Sequence, residues 1–197
     1  MKTIELFFDF SSPNAYFATL QLPAVAASAG ATLVYRPFFL GGLFKLLEAP
    51  QTPGMSSPEK ARASLRDLER WSDKHGVPFR WPSRFPMNTL KALRGVFVLG
   101  DLGIGERAYI EAVFRAYWAE DRDIADPQVL AEVVQGLSGD GSELLRLIEE
   151  PKVKDRLRVA TEEARTRGVF GAPVIVVGDE LFFGKDRLDF VADALRS

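Results

Sequence analysis

The chain has 197 residues, 47% hydrophobic and 26% charged, with a formal net charge of -2. This fits one globular domain, or one domain with a large insertion, and gives no general electrostatic basis for binding nucleic acid. Cysteine is absent and His75 is the one histidine, so disulfides, redox chemistry on the protein's own sulfur and a histidine-rich zinc site are excluded by count.

Ile4 to Phe10 reads as a mostly buried strand. Ser12-Pro13 follows in the N-cap-then-proline pattern that opens a helix. Its apolar face runs through Tyr16, Leu20, Leu22, Val25 and Ala26 to about Ser28, and Gly30 closes it. Ala31 to Arg36 is a second strand, stopped by Pro37. Such a β-α-β unit implies parallel strands and a right-handed crossover. Pro58 to Lys74 is helical, and His75 beside Gly76 reads as a helix-terminal cation. A loop rich in proline, arginine and aromatic residues, Val77 to Met87, precedes helices expected at Thr89–Leu102, Arg107–Trp118, Asp126–Leu137, Ser142–Glu149 and Pro151–Arg167. Strands return at Val174–Val177 and Leu181–Phe183 around a Gly178-Asp179 turn, and a helix from about Asp186 to Leu195 ends the chain. The two ends must meet, because two strands alone bury too little core. No apolar run reaches the roughly 18–20 residues of a membrane span. The short start, interrupted by Glu5 and Asp9, does not read as a signal peptide, and the expectation is a cytoplasmic protein.

Ser12 offers a hydroxyl at a helix N-terminus, where unpaired N–H groups and the macrodipole favour negative charge. Capping alone would account for it. With a single histidine in the chain the hydroxyl has no evident base, which argues against a serine nucleophile. Lys45 and Lys60 flank a proline-containing loop, and Lys185-Asp186 precedes the last helix. Taken alone, the lysines are solvated charges and Asp186 is an N-cap. The loop holding Phe79, Trp81, Arg84, Phe85 and Asn88 is either a pocket wall for an aromatic substrate or a packing element. Trp118 reads as core.

Seven segments carry a resemblance: Asp9-Phe10-Ser11-Ser12-Pro13; Arg36-Pro37-Phe38-Phe39-Leu40-Gly41-Gly42-Leu43-Phe44-Lys45; Leu65-Arg66-Asp67-Leu68; Pro86-Met87-Asn88-Thr89; Ala116-Tyr117-Trp118; Val169-Phe170-Gly171-Ala172-Pro173; and Phe183-Gly184-Lys185-Asp186-Arg187-Leu188. In this order, and across nearly the whole chain, they resemble 2-hydroxychromene-2-carboxylate isomerases and the related kappa-class glutathione transferases, which have a DsbA-like thioredoxin fold. The resemblance implies an α/β, thioredoxin-like fold (β-α-β … β-β-α) from residues 1–45 and 168–197, with an all-helical insertion at 46–167. It implies glutathione as cofactor, with Ser12 in place of the attacking cysteine of the redox relatives and Ala15 in place of the second, so that Ser12 stabilises a borrowed thiolate. It implies a cis Ala172–Pro173 bond, backbone pairing of Val174 with the cysteine of glutathione beside Pro173, and Lys185 and Asp186 at its γ-glutamyl end. Lys60 would hold a carboxylate, and Lys45, Arg84, Phe85 and Asn88 would face the substrate.

The activity implied is the glutathione-dependent interconversion of 2-hydroxychromene-2-carboxylate and trans-o-hydroxybenzylidenepyruvate in aromatic catabolism. The expected partner is a small aromatic substrate, with no nucleic acid and no membrane, and the family expectation is a homodimer. A kappa-class-like transferase or peroxidase, and a non-catalytic thioredoxin-like binding domain, are the alternatives. One departure stands out: relatives commonly carry Gly-Asn where this chain has Glu48-Ala49.

Overall fold

The computed structural model describes residues 2–50 and 57–196; part of the loop between Lys45 and Lys60 lies outside them. The elements run β1 (Thr3–Phe8), α1 (Pro13–Ser28), β2 (Thr32–Pro37), α2 (Leu40–Leu46), α3 (Pro58–His75), α4 (Leu90–Val96), α5 (Glu106–Trp118), α6 (Pro127–Gly136), α7 (Gly141–Leu147), α8 (Pro151–Thr166), β3 (Val174–Val177), β4 (Glu180–Phe183) and α9 (Leu188–Ala194). The strands form one sheet in the order β2-β1-β3-β4. β1 and β2 are parallel, with Thr3 opposite Thr32 and Phe8 opposite Pro37. β3 is antiparallel to both β1 and β4. The two ends of the chain therefore meet in one sheet, as their small individual cores require.

Local chemistry sets most helix starts. Ser12, Ser57, Asp126 and Asp140 each accept a hydrogen bond from a backbone N–H of the first turn they cap. Proline stands at the head of α1, α3, α6 and α8, where its missing N–H costs nothing.

Three elements depart from the sequence expectation. The helix expected from Thr89 to Leu102 stops at Val96, and the N–H groups of Phe97, Val98, Asp101 and Leu102 then bond three residues back. This is a series of tight turns that Gly103, at φ 65°, helps to close. α2 was not expected, since Gly41-Gly42 lowers helix propensity. It forms because Leu43 and Phe44 are buried and because Leu40 N–H donates to Asp9 Oδ2 at 2.7 Å. α9 begins at Leu188, so Asp186 does not cap it; its carboxylate pairs instead with Arg187 at 2.6 Å.

Glu48, just past α2, takes φ 53°. That left-handed region suits glycine, and a glutamate there is strained by about 1 kcal/mol.

Side chains alternate across the sheet. Leu6, Phe8 and Ile175 join a large core shared with α1, α4, α5 and α9. Phe7, Val174 and Val176 face the other way, onto Leu43 of α2 and Ala164 of α8. The helical stretch thus covers both faces of the sheet.

On β1, Glu5 meets Arg36 and Arg167, each at 2.6 Å. The Arg167 hydrogen bond, then that of Arg36, holds the Glu5 carboxyl down to about 2, against a burial effect that raises it. A depressed acid stabilises the fold above its unfolded value near 4.5 and loses that contribution as pH falls toward 2. Because Arg36 is 45% exposed, solvent screening reduces the contribution to about 1 kcal/mol. Glu5→Gln should therefore lower stability by about that amount in urea unfolding at pH 7, and the gap to wild type should shrink between pH 4.5 and 2. A gap that stays constant across that range would contradict the assignment.

Candidate functional site

The site is built on Asp9, the residue after β1, which is fully buried. Its Oδ1 accepts from Ser11 N at 2.8 Å, Ser11 Oγ at 2.9 Å and Thr89 Oγ1 at 2.8 Å, and its Oδ2 accepts from Leu40 N at 2.7 Å. Burial pushes the Asp9 carboxyl up, and the four donors pull against it. One carboxylate thereby fixes the approach to α1, the first residue of α2 and Thr89 at the head of α4.

Ser12 follows, 5% exposed. Its Oγ accepts from Ala15 N at 3.2 Å and donates to Ala172 O at 2.8 Å. Pro13 has no N–H, and the Asn14 N–H has no partner among the described residues. The start of α1 therefore keeps a free backbone donor at its positive end.

The Ala172–Pro173 bond is cis, as expected; a second cis bond, Phe85–Pro86, was not. Pro173 O accepts from Gly184 N at 3.1 Å, which ties the loop before β3 to the residues after β4. Gly171 allows Phe183 to lie close: a Cβ there would sit 2.9 Å from the Phe183 ring. That ring packs on Phe170 at 4.7 Å between centroids.

These segments bound a cleft of ≈ 640 Å³. Ser11, Ser12, Pro13 and Asn14 form its polar end, and Lys60, Lys185, Asp186 and Arg187 supply charge. Phe44, Leu68, Trp81, Phe85, Phe170 and Phe183 form the apolar walls. Trp118 is fully buried, as expected, and donates Nε1–H to Phe10 O at 2.8 Å. The rings of Phe79, Trp81 and Phe85 lie 6.0, 5.9 and 6.2 Å from it. The aromatic loop is both a packing element and a wall of the cleft.

Of the residues singled out in the sequence, Ser12, Lys60, Phe85, Lys185 and Asp186 line this cleft, with Ala172 next to Pro173. Val174 does not: it is fully buried and lies between Phe7 in β1 and Phe183 in β4, inside the sheet. Ala172 takes its place as the backbone facing the cleft, and its N–H makes no hydrogen bond among the described residues. Lys45, exposed on α2, lies outside the lining. Arg84 is held by Asp123 at 2.8 Å on the solvent side. Asn88 is exposed, and its Oδ1 accepts from Leu90 N at 3.1 Å, a local bond at the head of α4.

Sequence reasoning missed Asp67 and Trp71. Lys185 is 5% exposed, with Nζ 2.6 Å from Asp67 and 4.7 Å from the Trp71 ring centroid. The available signal was Asp67 inside the quoted Leu65–Leu68 segment, but the charged face of α3 reads as solvated.

A family model for the DSBA-like thioredoxin domain matches residues 3–196. A 2-hydroxychromene-2-carboxylate isomerase of Sphingobium xenophagum is 31% identical, over 98% of this chain and 98% of its own. A glutathione S-transferase kappa 2 of Caenorhabditis elegans is 30% identical, over 98% of this chain and 92% of its own. The solved structure of a 2-hydroxychromene-2-carboxylate isomerase superposes with a TM-score of 0.84 at 26% identity, covering 98% of this chain and 94% of that one. The thioredoxin-like α/β fold expected from the sequence is thus established. Among the described residues, no helix is long and apolar enough to cross a membrane.

Removing Asp67 strands a nearly buried ammonium, whereas Lys185→Met removes the charge and keeps an apolar stem against Trp71. Because Asp67 is 51% exposed, Asp67→Ala should cost about 1–2 kcal/mol in urea unfolding, and Lys185→Met should cost less. The opposite order would show that the pair does not hold α3 to the residues after β4.

Proposed function

This chain belongs to the DSBA-like thioredoxin domain family, and we propose that it acts as a glutathione-dependent isomerase, interconverting 2-hydroxychromene-2-carboxylate and trans-o-hydroxybenzylidenepyruvate in aromatic catabolism. The observation that carries the reading is a juxtaposition. A helix start with a serine in place of a cysteine faces an unladdered backbone, Ala172, across a cleft whose other walls are aromatic.

The donor set fits glutathione. Ala172 presents an N–H and a C=O that a peptide in extended conformation can engage. The Asn14 N–H and the α1 dipole favour an anion beside Ser12. Lys60 is a cation for a glutathione carboxylate and Asp186 an anion for the γ-glutamyl ammonium, while Lys185, already paired with Asp67, holds α3 beside that end. Glutathione held there would supply a thiolate nucleophile for reversible covalent catalysis at the conjugated double bond of the substrate. Ser12 donates a hydrogen bond to that sulfur and so favours the ionised form at neutral pH. Trp81 and Phe85 cover the aromatic ring and keep water off it.

Kappa-class relatives of similar identity support a second reading, transfer of glutathione to an electrophile by the same thiolate. Assembly as a homodimer in the cytoplasm belongs to the first reading and rests on the family resemblance.

Calorimetric titration with glutathione should give saturable binding, and chromene turnover should require it. Ser12→Ala should lower that turnover by roughly ten- to a thousandfold, comparable to losing one oxyanion-type donor. Absence of glutathione binding would overturn both readings, and turnover of an aromatic halide in place of the chromene would favour the second.

A further inference from the structure

Ser12 has one hydroxyl proton and two claims upon it. The hydroxyl now donates that proton in a hydrogen bond to Ala172 O, with Oγ at 2.8 Å, while Oγ itself accepts from Ala15 N at 3.2 Å. A thiolate accepts hydrogen bonds and donates none, so Ser12 cannot donate to one without leaving the Ala172 carbonyl. Ala172 is 8% exposed, and its carbonyl has no other donor among the described residues. Stripping a buried carbonyl of its sole donor opposes the swap.

Resting on the isomerase reading above, we propose that Ser12 is a ligand-gated donor: a backbone N–H of the bound peptide takes over Ala172 O, and the released Ser12 hydroxyl turns to the peptide's sulfur. Peptide recognition and thiol activation then share one hydrogen bond. The Ser12 proton stays on Oγ throughout, and the thiol proton leaves to solvent. The Ala172 N–H, unpaired in the chain, takes the second bond of the same peptide register. A thiol without an amide N–H in that position can enter the cleft, yet it leaves Ser12 on Ala172 O and is not acidified. The cleft therefore discriminates against simple thiols at activation rather than at entry.

The test compares glutathione with the depsipeptide in which an ester oxygen replaces the cysteinyl N–H. The thiol of each is titrated at saturation by its ultraviolet thiolate absorbance, on wild type and on Ser12→Ala. In wild type the glutathione thiol should ionise about one pH unit or more below its free value, and the depsipeptide thiol should stay near its free value. In Ser12→Ala the two ligands should no longer differ. Equal acidification of both ligands by wild type would overturn the gating and leave the function intact, whereas glutathione that binds without acidification would overturn the gating and the thiolate-stabilising role of Ser12 together. Failure of glutathione to bind would overturn the function beneath it. The wild-type comparison decides alone if the variant does not fold.

Discussion

A single buried carboxylate, that of Asp9, joins the sheet to the helices that shape the cleft. Putting an anion in the core is costly, and the cost is met by four donors drawn from three separate segments. Thr89, which is buried, would in turn be orphaned without it, at about 1–3 kcal/mol. The bonds therefore act as a unit: the approach to α1, the first residue of α2 and the head of α4 move together or not at all. Ser11 is held by its N–H and its hydroxyl, so Ser12 enters α1 in a fixed extended geometry with φ -96° and ψ 115°. Local capping could place the hydroxyl on its own helix, but aiming it at a residue 160 positions away needs this wider frame.

From that frame follows the division of labour around residue 172. β3 begins at Val174, and from there the backbone is consumed by ladders to β1 and β4. Two residues earlier, Ala172 lies beyond the ladder and still faces the cleft. The usable edge is thus a single residue wide. Pro173 at the boundary and Gly184 N–H on its carbonyl hold it against the turn after β4.

What the sequence disclosed, and what it hid, divides along the range of the interactions. Ser12-Pro13, Asp126-Pro127 and Gly178-Asp179 announced their elements because caps and turns are settled within a few residues. The bounds of β3 were legible for the same reason, with proline before the strand and glycine after it. The choice between Val174 and Ala172 was not, because it depends on the pairing register of three strands, and register is a property of the sheet. Lys45, Arg84 and Asn88 were sensible candidates by type, but the direction of a side chain is set by neighbours far along the chain: Arg84 is claimed by Asp123 and Asn88 by the head of α4. The Asp67–Lys185 pair, 118 residues apart, could not be read from either end. α2 formed against its glycines because Asp9 and the buried Leu43 and Phe44 outweighed propensity.

The two halves of the cleft have different origins, and this constrains how the site can vary. Its polar end is made by the start of α1, by Ala172 and by the turn after β4, all fixed by the sheet and Asp9. Half of its apolar wall, Leu68, Trp81 and Phe85, comes from α3 and the aromatic loop, which leans on Trp118, itself tied to Phe10 O. Substitutions at Trp81 or Phe85 reshape the substrate wall and leave the hydrogen bonds at Ser12 and Ala172 untouched. Substitutions at Asp9 reach both ends, because Thr89 heads the helix just after the aromatic loop and Ser11 lies beside Ser12. On the proposed reading, a change of substrate is therefore open to this scaffold without a change of cofactor. Asp9 has no such freedom, since Ser11, Leu40 and Thr89 all lose a hydrogen-bond partner with it.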